Sequence, residues 1–500
     1  TDGDGDTATD TASVSLAGMF VIQDDGIAVG GFDRAIIVAQ DNQVANGTYD
    51  ASVGVDGFAA ILAAVHNGAA GGGYNLATTN LGNGITSVHV TGNGADYTFY
   101  YTTQAVNGGV ELEAYFTNTS GSLTNPFFTL TINPDETYSF NLISVGFLEQ
   151  TTVSGSDFGA SGGGQPSLTS PDGELTITGD LNGVPANVKA SNNGIAVGNT
   201  GLQMDVNETL ILNFAQEQTE VSFIFTQWQG NGTANVEFHV LDENGLTISD
   251  FDINIPKPAG DSHIEVIVDT NLAGSYVFNA GTSTYTLYVG EEFSEVQVEY
   301  DFAVTGGATF TVNNITFDKE TSIPSTSLLF DITAVDGDGD TSTTSLHVDL
   351  LGGSNVVSGL TLTGTSDEDV LVGGTGNDTL IGGAGDDTLT GGTGNDLFVL
   401  QASNGGHDDI LDFVSGADDI VVDIASLNLT IGTSVVLDAA NFHTGDENVA
   451  ATWNGGTGNE FAFNAGTGEL WYSANGMGTD LVNLASIATG IPVATDIHTF

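Results

Sequence analysis

Asp369, Asp378, Asp387 and Asp396 stand nine residues apart, and so do Leu371, Leu380, Leu389 and Phe398. Both series belong to a unit G-G-x-G-x-D-x-U-x, U being apolar, that starts at Gly373, Gly382 and Gly391. A degenerate copy, GTSDEDVLV, starts at Gly364 in the same frame. The residue types define the chemistry. Carboxylates and main-chain carbonyls are hard oxygen donors, which suit calcium. Glycine lets the backbone approach an ion closely, and a nine-residue period with an inward apolar residue is that of a coiled β-structure built around metal. A flexible glycine linker would not keep aspartate and leucine in frame. The expected ligands are the carboxylates of Asp367, Asp369, Asp378, Asp387 and Asp396, with carbonyls from Gly373, Thr375, Gly382, Ala384, Gly391 and Thr393.

A second aspartate pattern occurs twice. DGDGD places Asp2, Asp4 and Asp6, and again Asp336, Asp338 and Asp340, at alternate positions. This echoes the start of an EF-hand loop, but the twelfth position counted from Asp336 is His347 rather than glutamate, which rejects an EF-hand. A calcium loop at a module junction remains, sharing Asp24 and Asp25 of QDDG with the module that follows. The alternative is an ordinary Asp-Gly hairpin turn.

Composition favours metal in both places. The chain has 64 Asp plus Glu against four basic residues, Arg34, Lys189, Lys257 and Lys319, and a formal net charge of -60. Self-repulsion at that charge calls for bound cations. Nucleic acid is excluded as a partner because phosphate binding needs Lys and Arg, and anionic membrane surfaces are disfavoured for the same reason. There is no cysteine, so disulfides and thiolate zinc sites are ruled out. No apolar run approaches the length of a membrane span, and TDGDGDTATD lacks the basic and apolar regions of a signal peptide.

The elements that must carry these residues read as strands. Thr1–Leu16 (TDGDGDTATDTASVSL) and Val335–Leu350 (VDGDGDTSTTSLHVDL) each follow an Asp-Gly loop with alternating residues, the signature of a closing hairpin and strand. The first closes a preceding module, so the chain reads as the tail of something longer. The second closes a module that is about three times the usual length. A composition shift accounts for the excess: SGSDFGASGGGQPSLTSPDGE and DKETSIPSTS are linker-like, and between them lies a separate run of alternating strands. The fold class expected is all-β. A host β-sandwich (17–149 plus 323–350) follows the end of a repeat (1–16) and is split by an inserted, jelly-roll-like β-sandwich (150–322). A calcium β-roll (351–412) and a β-rich cap with an export region (413–500) complete the chain. DGFAAILAAVHNG is the one strong helix candidate, with apolar residues at helical spacing.

The nonapeptides resemble the RTX repeats of bacterial proteins exported by type I secretion, and GTGELWYSANGMGTDLVNLASI is similar to the C-terminal regions that follow them. The DGDGD-ended modules resemble the repeats of very large RTX adhesins. That resemblance covers the host module and the tail; the insert matches by position, and only loosely by motif. It implies multiple Ca²⁺ ions, export through the type I machinery to the bacterial surface, a monomer that inserts no segment into the membrane, and an inserted ligand-binding domain.

In the insert, TQWQGNGTAN puts Trp228 between Gln227 and Gln229, with Asn231 and Asn235 nearby, and SNNGIAVGN adds Asn193 and Asn199. An aromatic face beside amides stacks on a sugar or grips a peptide. The alternative is that Trp228 caps the core. Position in the chain favours a peptide or protein ligand, the loop chemistry a glycan, and both stay open. Catalysis is disfavoured. GASGG matches a nucleophile elbow only in letters because it lies in a glycine linker. H-E-x-x-H is absent, and His239 and His263 read as packing or surface residues. GTGND recurs at Gly374 and Gly392, which would stack Thr375 and Asn377 under Thr393 and Asn395 as in ice-binding arrays; two rungs make a small face. A spacer without ligand is the remaining alternative.

Overall fold

The computed structural model describes residues 26–54, 57–119, 121–159, 164–198, 203–259, 263–271, 274–352, 359–401, 406–423, 435–436, 442–445, 460–473 and 481–499. Asp2, Asp4, Asp6, Asp24, Asp25 and Asn199 lie outside them. Almost every element is a strand, as the alternating sequence predicts. Among the described residues no helix is long and apolar enough to cross a membrane. The chain divides into two compact units, residues 148–321 and the remainder.

In the larger unit, an eight-stranded antiparallel sheet runs from Gln43–Thr48 through Thr137–Leu142, Ser122–Ile132, Gly109–Thr119, Ala95–Val106, Ile85–Gly92 and Tyr74–Gly82 to Gly68–Gly71. Its inward side chains, including Phe99, Phe128 and Phe140, share a core with Phe330, Leu346 and Val348. Those residues come from the strands Thr326–Asp336 and Thr341–Leu351, so chain segments almost two hundred residues apart complete one core.

The predicted helix is a strand. Phe58–Val65 pairs antiparallel with Thr326–Asp336, burying Ile61, Ala63 and Val65 while Leu62 faces out. The segment satisfies both periods, because positions 58, 61 and 65 fit a helix and 61, 63 and 65 fit a strand. Unpaired backbone on the edge of Thr326–Asp336 decides between them, since tertiary pairing overrides local helix propensity even where alanine is abundant.

Arg34–Val38 is the strand on which the larger unit turns. It pairs in parallel with Thr341–Leu351 on one side and with Asp369–Thr375 on the other. Its side chains alternate between two cores. Ala35 and Ile37 join the sandwich core, whereas Ile36 and Val38 join a separate core inside the nonapeptide region. Asp369–Thr375 repeats the arrangement, with Val370 and Val372 in the first core and Leu371 in the second. One eleven-stranded sheet therefore runs from Phe58–Val65 through these strands into the tail strands Val482–Ile487, Glu469–Ser473 and Glu460–Asn464.

Residues 148–321 form their own sandwich. One sheet is ordered Ser167–Thr169, Leu175–Leu181, Glu208–Gln218, Phe293–Thr305, Thr233–Leu241, Thr247–Pro256. The other contains Val188–Ser191, Gly194–Val197, Thr309–Ser322, Glu220–Gln229, Ile264–Asp269, Thr284–Tyr288 and Ser275–Asn279. Phe223, Phe225, Phe238, Phe310 and Phe317 fill the space between them.

Because neighbouring residues of Arg34–Val38 serve different cores, Ile36→Ala opens a cavity in the nonapeptide region and Ile37→Ala one in the sandwich. Each is expected to lower stability by about 2–5 kcal/mol, measured as a shift of the urea midpoint in saturating calcium. A loss below about 0.5 kcal/mol for either would contradict the two-core assignment.

Candidate metal centre

The nonapeptides wind into a two-sided parallel roll in which each coil takes eighteen residues. On one side Asp369–Thr375 pairs with Thr388–Thr393, which pairs with Asp408–Ile410, stacking Leu371, Leu389 and Ile410. On the other, Thr361–Thr363, Thr379–Ile381, Leu397–Gln401 and Asp419–Asp423 stack Leu362, Leu380, Phe398 and Ile420. All seven side chains are buried in one core. Two repeats per coil put alternate aspartates in separate rows.

Each row is a ladder. The backbone N–H of Asp369 donates to Oδ1 of Asp387 at 2.9 Å, and that of Asp387 to Oδ1 of Asp408 at 3.2 Å. In the second row the N–H of Leu360 donates to Asp378, that of Asp378 to Asp396, and that of Asp396 to Asp418, at 2.7, 2.8 and 2.9 Å. Asp369, Asp378, Asp387 and Asp396 are all at most 2% exposed. Neutral donors thus hold one oxygen of most of these carboxylates. Oδ1 of Asp369 and Oδ2 of Asp378 and Asp387 are buried with no hydrogen-bond partner.

Buried carboxylate oxygens without donors are costly unless a cation meets them. The glycines show where such an ion would be admitted. A Cβ on Gly373 would lie 2.8 Å from Oδ2 of Asp378 and collide with the carbonyl of Gly391. Gly364 stands in the same relation to Asp369 and the carbonyl of Gly382. The first glycine of the unit is therefore required by the crowding of oxygens around it. The second and fourth serve the turn itself: Gly374 and Gly376 have φ of 124° and 127°, where a side chain would be strained. These oxygens, carboxylate and carbonyl, are the donor set of a calcium site.

Burial pushes all these acids upward. Asp387 rises to about 7, Asp396 to about 6 and Asp408 to about 8, with neighbouring aspartates adding to the effect of burial for each; Asp369 and Asp378 are raised too. Only Arg34, which hydrogen-bonds Asp349 through Nε at 2.7 Å, acts against this at Asp369 among the basic residues.

Of the other expected ligands, Asp367 is exposed, and Thr375 and Thr393 are exposed register partners at the coil corner. Thr375 donates from its N–H and hydroxyl to Oε1 of Gln40, at 2.9 and 3.1 Å, so Gln40 caps the first coil. Asn377 and Asn395 are also stacked, through an N–H to Oδ1 bond of 2.9 Å. Asp408 and Asp418 continue both rows but escaped the sequence reading. They lie in HDDI and ADDI, 21 and 22 residues after Asp387 and Asp396, so the inserted residues break the count of nine.

The DGDGD loop joins Thr326–Asp336 to Thr341–Leu351. Carboxylate oxygens of Asp336, Asp338 and Asp340 lie within 4.8 Å of one another. Oδ1 of the buried Asp336 accepts the N–H groups of Gly339 and Asp340 at 3.0 and 2.7 Å. Burial works against its ionisation, but hydrogen bonds from Asp338, Asp340 and Gly339 outweigh it and keep Asp336 below the usual range.

In the second unit, Trp228 is half-buried against Phe225 and Phe310, and its Nε1 donates to the Phe225 carbonyl at 3.2 Å. The ring caps the core with its polar atom already engaged. Gln227 and Gln229 are exposed beside it, and Asn193 reaches the same end, its carbonyl accepting from Thr311. Asn231 is exposed in the adjoining loop. Asn235 is elsewhere: it is 2% exposed on Thr233–Leu241 and bonds Asp252 and Asn254.

A family model described as the RTX calcium-binding nonapeptide repeat matches four copies over residues 363–398. Residues 363–398 are RTX repeats, and they bind calcium. The roll, with its buried oxygens, is thus an RTX β-roll. No curated protein matches the chain. Among solved structures, that of infectious bursal disease virus Gx strain is similar at 9% identity, covering 66% of this chain and 77% of that one with a TM-score of 0.15. The C-terminal domain of the AgI/II polypeptide BspA from Streptococcus agalactiae is similar at 10% identity, with coverage of 65% and 99% and a TM-score of 0.11. The MSCRAMM ACE of Enterococcus faecalis shows 13% identity, 66% and 96% coverage and a TM-score of 0.09. At such scores these likenesses carry no argument.

Two results are expected. A carboxyl whose folded-state pKa is raised contributes stability that is complete below its unfolded value near 3.8 and disappears as pH rises through the folded value. In chelator the roll should therefore gain stability as pH falls from about 8 to 4, measured by thermal melts. In calcium the trend should reverse, because protons compete with the ion; a flat profile in chelator would contradict the burial of these acids. Asp387→Asn keeps the oxygen that accepts from Asp369 but removes the charge. It should cut the calcium-induced gain in unfolding free energy by about 2–3 kcal/mol at calcium about a hundredfold above the dissociation constant.

Proposed function

We propose that the chain is a segment of a calcium-dependent bacterial surface adhesin, non-enzymatic, exported by the type I route and folding outside the cell. The observation that supports this most is the pairing of RTX repeats with a separate sandwich of its own, residues 148–321, set between Phe147 and Ser322. RTX repeats are typical of type I secreted proteins. At the low calcium of cytoplasm the aspartate ladders repel, and metal binding outside supplies folding free energy.

In this reading residues 148–321 are the recognition unit, and the ligand is a surface peptide with basic side chains. The unit has a groove of about 520 Å³ lined by Asn213, Gln216, Glu217, Asp242, Glu295 and Glu320, among others. No Lys or Arg lines it. The pairing of Glu208–Gln218 with Phe293–Thr305 is irregular between Asn213 and Gln218, in the segment that forms its wall. The groove lies toward Phe317, at the other end of Thr309–Ser322 from the Trp228 loop, where Gln229 pairs with Thr309. Clustered carboxylates attract ammonium and guanidinium groups, and charge of this sign speeds encounter with a basic partner.

Fluorescence polarisation of the full chain in calcium against a library of Lys- and Arg-bearing peptides tests this, with a glycan array run beside it. Peptide hits that weaken about tenfold in Glu217→Gln or Asp242→Asn are expected, a change of about 1.4 kcal/mol. Glycan hits without peptide hits would establish the lectin alternative. Silence in both arms would leave a structural spacer.

A further inference from the structure

The outer face of the sandwich formed by residues 148–321 carries a cluster of metal-ligating side chains. Glu237 and His239 project from Thr233–Leu241 and Glu299 from the adjacent Phe293–Thr305, with Glu237 directly opposite Glu299 in the register. Asp252 of Thr247–Pro256 is opposite Glu237 on its other side. Like charges facing one another across a sheet destabilise it, and here three carboxylates occupy one row. Asp301 adds a fourth charge nearby, and burial and these neighbours raise the Glu237 carboxyl.

The imidazole is held in a particular way. Nδ1 of His239 lies 2.7 Å from Oδ1 of Asp250, so in the tautomer that donates from Nδ1 the Nε2 nitrogen faces the other side as a ligand. There Nε2 sits 3.8 Å from Oε2 of Glu237 and 3.6 Å from Oε2 of Glu299. Both separations are too long for hydrogen bonds. They are close to the roughly 3.3–3.5 Å between two ligand atoms on one tetrahedral ion with bonds of about 2.0–2.2 Å. One oxygen from each glutamate and a nitrogen of His239 all lie within 4.8 Å of one another. A carboxylate behind a ligating histidine is the usual way in which such a ligand is oriented.

A second unsatisfied group lies on the same face of the same strand. Asn235, two residues before Glu237 on the same face, is 2% exposed, and its Oδ1 is buried without a hydrogen-bond partner. Its Nδ2 is committed to Asp252 and Asn254 on one neighbouring strand. On its other side, along Phe293–Thr305, Asn235 is opposite Phe302, and Glu237 two residues on is opposite Glu299. A buried carbonyl oxygen with no donor beside a crowded set of carboxylates is a position that a cation satisfies.

We propose that Glu237, His239 and Glu299 bind one divalent transition ion of the zinc class, oriented by Asp250. The imidazole sets this site apart from the roll, whose donors are all oxygen; imidazole nitrogen favours zinc, copper, iron or nickel over calcium. It lies on the outer face of its sheet.

The test uses the full chain saturated with calcium. It is titrated with Zn²⁺ by calorimetry and with Co²⁺ by visible absorption, for the wild type, His239→Ala and Glu299→Gln. Far-UV circular dichroism checks that each variant is folded. The wild type should take up one equivalent that calcium does not displace, with a cobalt spectrum of nitrogen-containing low-coordinate geometry. Both variants should lose that equivalent or bind it at least about a hundredfold more weakly. Equal stoichiometry and affinity in wild type and variants would overturn the assignment, as would displacement of the ion by calcium. Should His239→Ala fail to fold, Glu299→Gln, which changes one charge at a partly exposed position, decides alone.

Discussion

In the RTX roll, aspartates from successive coils give up nearly all their contact with water without gaining a basic partner. Main-chain N–H groups hold one oxygen of these carboxylates, and in Asp378 and Asp387 the other is buried without a donor, facing a glycine too small to cover it. Such an arrangement is unfavourable on its own account, since a buried carboxylate without compensation costs several kcal/mol. It becomes favourable when calcium enters, because the oxygens are already gathered and the coil cannot form with larger residues in place of the glycines. The inward leucines then stack only as far as the aspartate rows allow.

Strand Arg34–Val38 carries that dependence into the sandwich. Its four buried side chains alternate between two cores, and Gln40, just beyond it, closes the first coil at Thr375. A roll that fails to form leaves Ile36 and Val38 exposed and removes one of the strand's two parallel neighbours. The sandwich core, shared with Val370 and Val372, is then incomplete as well. Calcium binding at the aspartate ladders is in this way coupled to the packing of residues more than three hundred positions earlier in the chain.

The repeat was legible because its period is short and its residue types are few. Asp369, Asp378, Asp387 and Asp396 could be placed by counting, and the roll core followed from the same count. Asp408 and Asp418 could not, because extra residues shift them out of frame although they occupy the same rows. The all-β class was legible from alternation, except at Phe58–Val65, where alanines let helical and extended periods coincide and pairing with a distant strand decided. The sharing of Arg34–Val38 between two cores left no local trace, since RAIIV reads as any buried strand. Trp228 had two readings from sequence, and only the position of Nε1 on the Phe225 carbonyl shows how the ring is engaged. His239 read as a packing or surface residue because its partners, Asp250 and Glu299, come from other strands and meet it only through register.

Amide hydrogen exchange on the full chain, with calcium and then with chelator, tests the coupling most directly. Removing calcium should release the amides of residues 361–401 and, together with them, those of Arg34–Val38. Continued protection of the repeats in chelator, or release of the repeats while Arg34–Val38 stays as protected as before, would contradict the account.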